Sequence, residues 1–148
     1  MNADKRREGS DANAVLDQIA VLPVEPGEVE RIAALAGEIW RRHYAGIISA
    51  AQIEYMLKQR YEPPLIHSEL ARTDLWWDKL LVRGEIAGFA SYFLTGHTQE
   101  MKLDKLYVHQ DHQRKGYGGR LIDHVCELAR RLGCSRVVLA VNRNNRNA

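Results

Sequence analysis

A chain of 148 residues that is 45% hydrophobic and 27% charged has material for one compact domain with a real core, and too little for two. Its net charge is +2, no apolar run approaches the roughly 18–20 residues a bilayer span needs, and the polar start MNADKRREGSDAN is unlike a secretory leader. A membrane partner is therefore not expected. Two cysteines, Cys126 and Cys134, lack CxxC spacing, so unpaired thiols in a reducing cytoplasm are expected rather than a disulfide framework.

In chain order, residues 1–12 read as a disordered polar tail and residues 13–148 as the domain. Val15 to Val21 predicts a first strand, ended by Pro23 and a turn at Pro26-Gly27. Val29, Ile32, Leu35, Ala36, Ile39 and Trp40 then recur at helical spacing, with Glu28 and Glu30 in the first turn. Ser49-Ala50-Ala51-Gln52 predicts a capping box opening a second helix, with Ile53, Met56 and Leu57 inward and Pro63-Pro64 as its stop. Trp40, Tyr44, Tyr55 and Tyr61 are expected to serve helix packing.

A short helical segment precedes a change of texture. Trp77 to Val82 and Ile86 to Leu94 read as strands joined by a tight turn at Arg83-Gly84-Glu85, and Glu100 to Val108 as a third. After a glycine-rich turn, Leu121, Ile122, Val125, Cys126, Leu128, Ala129 and Leu132 trace one helical face, closed by Gly133 as C-cap. Arg136 to Val141 predicts a final buried strand. The fold class is α/β, one domain without repeats.

Charge is distributed unevenly. Through His112 there are 13 basic and 17 acidic residues, and from Gln113 onward 8 basic and 2 acidic. With no long Lys/Arg run and no nucleic-acid motif around it, this basic part does not predict nucleic-acid binding. It opens with Gln113-Arg114-Lys115-Gly116-Tyr117-Gly118-Gly119-Arg120, three glycines among cations at the start of a helix. Such a turn either merely connects strand to helix or holds an anion. A helix start leaves about four backbone N–H groups unpaired beside the positive end of the peptide dipoles, and glycines let those groups converge on one phosphate.

The Walker loop does not fit, because Lys115 precedes Gly116. The Rossmann fingerprint does not fit either: Leu121 stands where the third glycine belongs, no acidic residue follows some twenty positions on, and the preceding strand follows a hairpin rather than opening a parallel β–α–β unit. His109-Gln110-Asp111-His112 reads as a polar turn, and no spaced His/Cys set predicts a metal. No Gly-x-Ser-x-Gly nucleophile elbow is present.

Gln113-Arg114-Lys115-Gly116-Tyr117-Gly118 does fill the pattern Gln/Arg-x-x-Gly-x-Gly/Ala, and the chain resembles the GCN5-related N-acetyltransferases, the GNAT family. The resemblance runs from about Val15 to the last residue and includes the Gly84 turn, Ile86-Ala87-Gly88-Phe89-Ala90, Leu103-Asp104-Lys105-Leu106-Tyr107-Val108, the glycine loop and Val141-Asn142-Arg143-Asn144-Asn145 in order. It implies a mixed, mostly antiparallel sheet flanked by helices, and an enzyme that moves an acetyl group from acetyl-CoA to a primary amine of a small molecule or protein. By the same resemblance, the amides of Arg114, Lys115, Gly116, Tyr117, Gly118 and Gly119 would hold the CoA pyrophosphate, with Gln113, Asn142 and Asn145 as further cofactor-binding positions.

Leu106, Tyr107 and Val108 would pair with the pantetheine arm like an added strand, along an edge that bulges away from its neighbour. An amide of Leu106 or Val108 could donate to the thioester oxygen as charge develops on it. Asp104 matches a carboxylate position used as base or water-positioner by polyamine-type members; it reads equally well as a strand carboxylate paired with Lys102 or Lys105, with Glu38 and Glu100 in reserve. Family members continue past Asn-x-x-Ala into a helix bearing a tyrosine that protonates the leaving thiolate. Here Asn145-Arg146-Asn147-Ala148 ends the sequence, so the chain is read as a domain lacking the C-terminal part of its fold. The rival class is a CoA-binding module without turnover, and an exposed last strand would favour a homodimer.

Overall fold

The computed structural model describes residues 18–139. Five strands, β1 (Ile19–Pro23), β2 (Leu75–Val82), β3 (Glu85–Leu94), β4 (Glu100–Val108) and β5 (Arg136–Leu139), form one sheet in that spatial order. Pairings are antiparallel from β1 to β4, and β4 pairs with β5 in parallel. Helices α1 (Val29–His43), α2 (Ala50–Tyr61) and α3 (Pro63–Leu70) cover one face, and α4 (Tyr117–Arg131) covers the other.

The elements largely follow the predicted boundaries, with local corrections: β5 has exposed ends and a half-buried middle instead of being buried, and Val141 lies outside the described residues. β1 starts at Ile19 and runs through Pro23, the edge position where a missing N–H is tolerated. Pro63-Pro64 ends α2 and also occupies the first turn of α3, where proline's fixed φ suits a helix start. Ser49 caps α2 by accepting from the Gln52 backbone N–H at 3.0 Å. The strand before the glycine loop does open a parallel β–α–β unit, because α4 carries the chain over to β5 beside β4. That corrects one of the sequence arguments against a Rossmann fingerprint; the missing glycine and acidic residue still exclude it.

Two buried layers hold the sheet. Under α1–α3 lie Ile32, Trp40, Tyr61, Ile66, Trp77 and Phe89; under α4 lie Leu80, Tyr92, Met101, Leu103, Leu121 and Val125. Each fully buried large side chain contributes roughly 1.5–3 kcal/mol, so these layers, more than helix propensity, fix the helices. Trp40, Tyr44 and Tyr61 are buried as expected, whereas Tyr55 is exposed.

A bulge breaks the alternation of β4. Ser91 pairs with Lys105 and Tyr92 with Leu103, so Asp104 is the extra residue. Met101 and Leu103 face α4 before the bulge; Lys105 and Tyr107 face α1–α3 after it, and Leu106 and Val108 take over the α4 side. Because strand side chains alternate with period two, one inserted residue exchanges the faces of all that follow.

Candidate active site

β4 leads directly into the glycine loop, and the loop is built from its own polar groups. The His109 N–H bonds to the Ala87 carbonyl at 2.8 Å, continuing the β3–β4 ladder by one residue. His109 Nδ1 accepts from the Asp111 N–H at 3.2 Å and its Nε2 lies 3.4 Å from Glu38 on α1. Gln113 turns back to donate from Nε2 to the Val108 carbonyl at 3.0 Å. Gln113 thus braces the loop from the strand end.

Left-handed backbone follows at Arg114 (φ 65°) and at Gly116 (φ 79°), the N-cap of α4. No side chain caps this helix, and the first intrahelical bond is from Arg120 N–H to the Gly116 carbonyl at 3.2 Å. The N–H groups of Tyr117, Gly118 and Gly119 therefore lack intrahelical acceptors. A Cβ built at Gly116, Gly118 or Gly119 would meet nothing within 4 Å. Internal packing does not require glycine there; the open space beside these unpaired N–H groups suits an incoming phosphate. Val108, His112, Gln113, Arg114, Gly116 and Tyr117 line a cleft of about 570 Å³ at this point, bordered by His43 at the end of α1. Nδ1 of His112 is buried with no hydrogen-bond partner among the described residues. The residues present fit a diphosphate.

Beyond Leu103, which pairs with Leu139, the outer edge of β4 from Asp104 to Val108 has no strand partner among the described residues. Leu106, Tyr107 and Val108 lie on this edge, next to the loop. Tyr107 packs against Trp40 and Phe89 with ring centroids 6.0 and 5.8 Å apart. Burial first, then the neighbouring Tyr61 and Tyr44, push its hydroxyl well above the usual tyrosine range. Asn142 and Asn145 lie outside the described residues.

Asp104 sits at the bulge, one-quarter exposed. Its Oδ2 accepts from Lys105 Nζ at 2.7 Å and its Oδ1 from Arg60 Nη2 on α2 at 3.2 Å. Burial disfavours its charge, but Lys105 and then Arg60 outweigh burial and hold the carboxyl below the usual range. Of the two lysines expected beside it, Lys105 is the partner; Lys102 instead lies over the Phe93 ring at 5.8 Å. Lys105 is buried, with Nζ 5.2 Å from the Trp77 ring centroid and 5.7 Å from that of Tyr61.

The two reserve carboxylates lie elsewhere. Glu38 is exposed and pairs with His109, whereas Glu100 pairs with Arg136 at 2.7 Å at the far end of β4, about 13 Å from Asp104 at ~3.3 Å per residue. Arg60 was not among the residues the sequence singled out, because nothing in its spacing links it to a carboxylate 44 positions on. Among the described residues, no group of His, Cys, Asp and Glu could hold a metal ion.

A mixed sheet whose fourth strand bulges, has no strand partner beyond Leu103 among the described residues and runs into a glycine-lined helix start is the framework of the acyltransferases that draw their acyl group from a coenzyme A thioester. The chain belongs to the acetyltransferase (GNAT) family, whose family model matches residues 34–148. It is 25% identical over 134 residues to a spermidine N(1)-acetyltransferase of Thermoplasma acidophilum, spanning 86% of this chain and 80% of that protein. The PaiA N-acetyltransferase of the same organism, solved in complex with coenzyme A, superposes with a TM-score of 0.80 at 22% identity over 86% of this chain and 82% of the other. A GCN5-related N-acetyltransferase from Rhodopseudomonas palustris gives 0.71 at 25% identity over 85% and 74%. These findings bear out the class read from the sequence motifs, an N-acetyltransferase with acetyl-CoA as cosubstrate, over the rival of a binding module without turnover.

Proposed function

We propose that this chain transfers the acetyl group of acetyl-CoA to a primary amine, with the residues of β4 and the glycine loop in the following roles. The amides from Arg114 to Gly119 hold the pyrophosphate, and Arg114, Lys115 and Arg120 add attraction at longer range. Leu106, Tyr107 and Val108 pair with the pantetheine amides along the free edge of β4, braced by Gln113. Asn142 and Asn145 extend the cofactor-binding set. The single observation that carries this reading is the junction of the β4 edge, without a strand partner from Asp104 to Val108 among the described residues, with an uncapped, glycine-lined helix start opening into space.

In the transfer, the amine nitrogen bonds to the thioester carbonyl carbon, the C–S bond breaks, and the departing thiolate takes up the proton that the nitrogen sheds as the amide forms. An alkyl ammonium has a pKa near 10 and must first lose a proton. Asp104 serves as the water-positioning carboxylate: two of its roughly four lone-pair sites are used by Lys105 and Arg60, leaving the others for a water that relays the proton. Its lowered pKa keeps it charged for that purpose at neutral pH. An amide of Leu106 or Val108 donates to the carbonyl oxygen as negative charge grows there. The free thiols of Cys126 and Cys134 support a reducing, cytoplasmic setting.

Calorimetry with acetyl-CoA, followed by a thiol-release assay over a panel of amines, tests the reading. Saturable binding and amine-dependent release are expected; folded protein that does not bind acetyl-CoA would exclude it.

A further inference from the structure

The charges around the β4 bulge point to the acceptor. A site for a polyamine needs carboxylates in excess of its own cations, and an aromatic wall is the natural seat for a substrate ammonium. Here the chain's own cations take both places. Lys105 occupies the angle between the Trp77 and Tyr61 rings, with 5% of its surface exposed, and reaches Asp104 Oδ2 at 2.7 Å. Arg60 reaches Asp104 Oδ1 at 3.2 Å. Two cations face one carboxylate, which leaves the cluster with an excess positive charge.

Arg60 and Lys105 differ in what they can offer a ligand. Lys105 is enclosed, whereas the side chains of Arg60 and Asp104 are 29% and 25% exposed and open to solvent together. The guanidinium has five N–H donors in a planar fork, of which the Asp104 contact uses one, on Nη2. Such a fork recognises a carboxylate through paired, charge-assisted hydrogen bonds.

We infer that the acceptor is an amine bearing a carboxylate on a neighbouring carbon, an α-amino acid, with Arg60 binding the carboxylate while the water held by Asp104 receives the ammonium proton. The inference rests on the acetyltransferase reading and narrows its acceptor. An α-amino acid keeps nitrogen and carboxylate close together, which matches an Arg60–Asp104 contact that itself spans a single hydrogen bond. A polyamine would bring a further cation to a carboxylate that already faces Arg60 and Lys105, at the cost of like-charge repulsion.

The test compares L-alanine, L-alaninamide, n-butylamine and spermidine as acceptors in the thiol-release assay, with acetyl-CoA affinity measured separately by calorimetry. L-alanine is expected to exceed L-alaninamide in kcat/KM by about tenfold or more, the scale of a charge-assisted hydrogen-bond pair. The amide carries the more readily deprotonated amine, so intrinsic reactivity runs against this preference. In Arg60→Gln the preference is expected to collapse, and spermidine turnover to rise as Asp104 is released, with acetyl-CoA affinity unchanged. Preference for spermidine, equal use of alanine and its amide, or an unaltered acceptor order in Arg60→Gln would overturn the acceptor assignment while acetyl-CoA binding stands. Loss of acetyl-CoA binding by the folded wild-type protein would overturn the acetyltransferase reading beneath it.

Discussion

A Cβ placed on Gly88 would lie 2.6 Å from the Tyr107 carbonyl oxygen and 3.2 Å from Val108 Cα, so β3 and β4 approach too closely here for any side chain. Both contacts are with backbone, and neither can move without moving the strand. Gly88→Ala therefore has to shift β4 where its edge is proposed to receive pantetheine. Overpacking of this kind costs about 1–3 kcal/mol. Denaturant unfolding is expected to show that loss, and calorimetry a weaker acetyl-CoA affinity in the protein that remains folded. Wild-type stability and affinity together would contradict the account of the β4 edge.

The glycine loop separates binding from folding. A side chain at Gly118 points into open space, so Gly118→Glu should fold normally while placing bulk and negative charge in the phosphate cradle. Its thermal midpoint is expected to stay near wild type and its acetyl-CoA binding to be lost. Gly116→Glu should also lose binding, with an added destabilisation of about 1–2 kcal/mol because φ is 79° there. Unchanged affinity in either variant would remove the loop from the cofactor site.

Arg114 holds φ 65° without being glycine. The left-handed conformation costs an L-residue about 1–2 kcal/mol, against roughly 0.5–1 kcal/mol for glycine's greater freedom in the unfolded chain. Arg114→Gly should accordingly gain up to about 1 kcal/mol of stability while weakening acetyl-CoA binding, most visibly at low salt where the guanidinium's attraction is least screened. Chemical denaturation and calorimetry at two ionic strengths measure both halves.

Asp104 gives a pH signature. Its folded-state pKa is lowered, so its contribution to stability is present above the ordinary carboxylate range and is lost as pH falls through the folded value. Asp104→Asn removes that contribution and leaves Lys105 buried without its anion, at about 1–3 kcal/mol near pH 7. The stability gap between wild type and variant should narrow as pH drops below about 4. A gap independent of pH would show that the carboxylate charge is not what stabilises the cluster. Turnover in Asp104→Asn, measured at saturating acetyl-CoA, is expected to fall by about 10²-fold or more if Asp104 positions the water.

The sequence by itself determined the order of strands and helices, the family, and the loop from Gln113 to Gly119, because periodicity and glycine spacing are local properties written in adjacent residues. It also brought Asp104 forward, and named Lys105 as one possible partner. The sequence also held a legible sign of the bulge: apolar residues fall at Met101 and Leu103 and then at Leu106 and Val108, a change of parity across Asp104. Gly88, a glycine inside a strand pattern, was a comparable sign of close backbone approach.

Only the tertiary structure decided what surrounds Asp104. Arg60 comes from α2, Trp77 from β2 and Tyr61 from the end of α2, brought together by packing rather than by spacing. The parallel placement of β5 beside β4 was likewise decided by α4 burying its apolar face on the sheet, not by any signal in the strands themselves. Local propensity fixes which segments pair with period two or 3.6, but the charge balance of a site depends on side chains from segments far apart in sequence, and burial alone determines which of them meet.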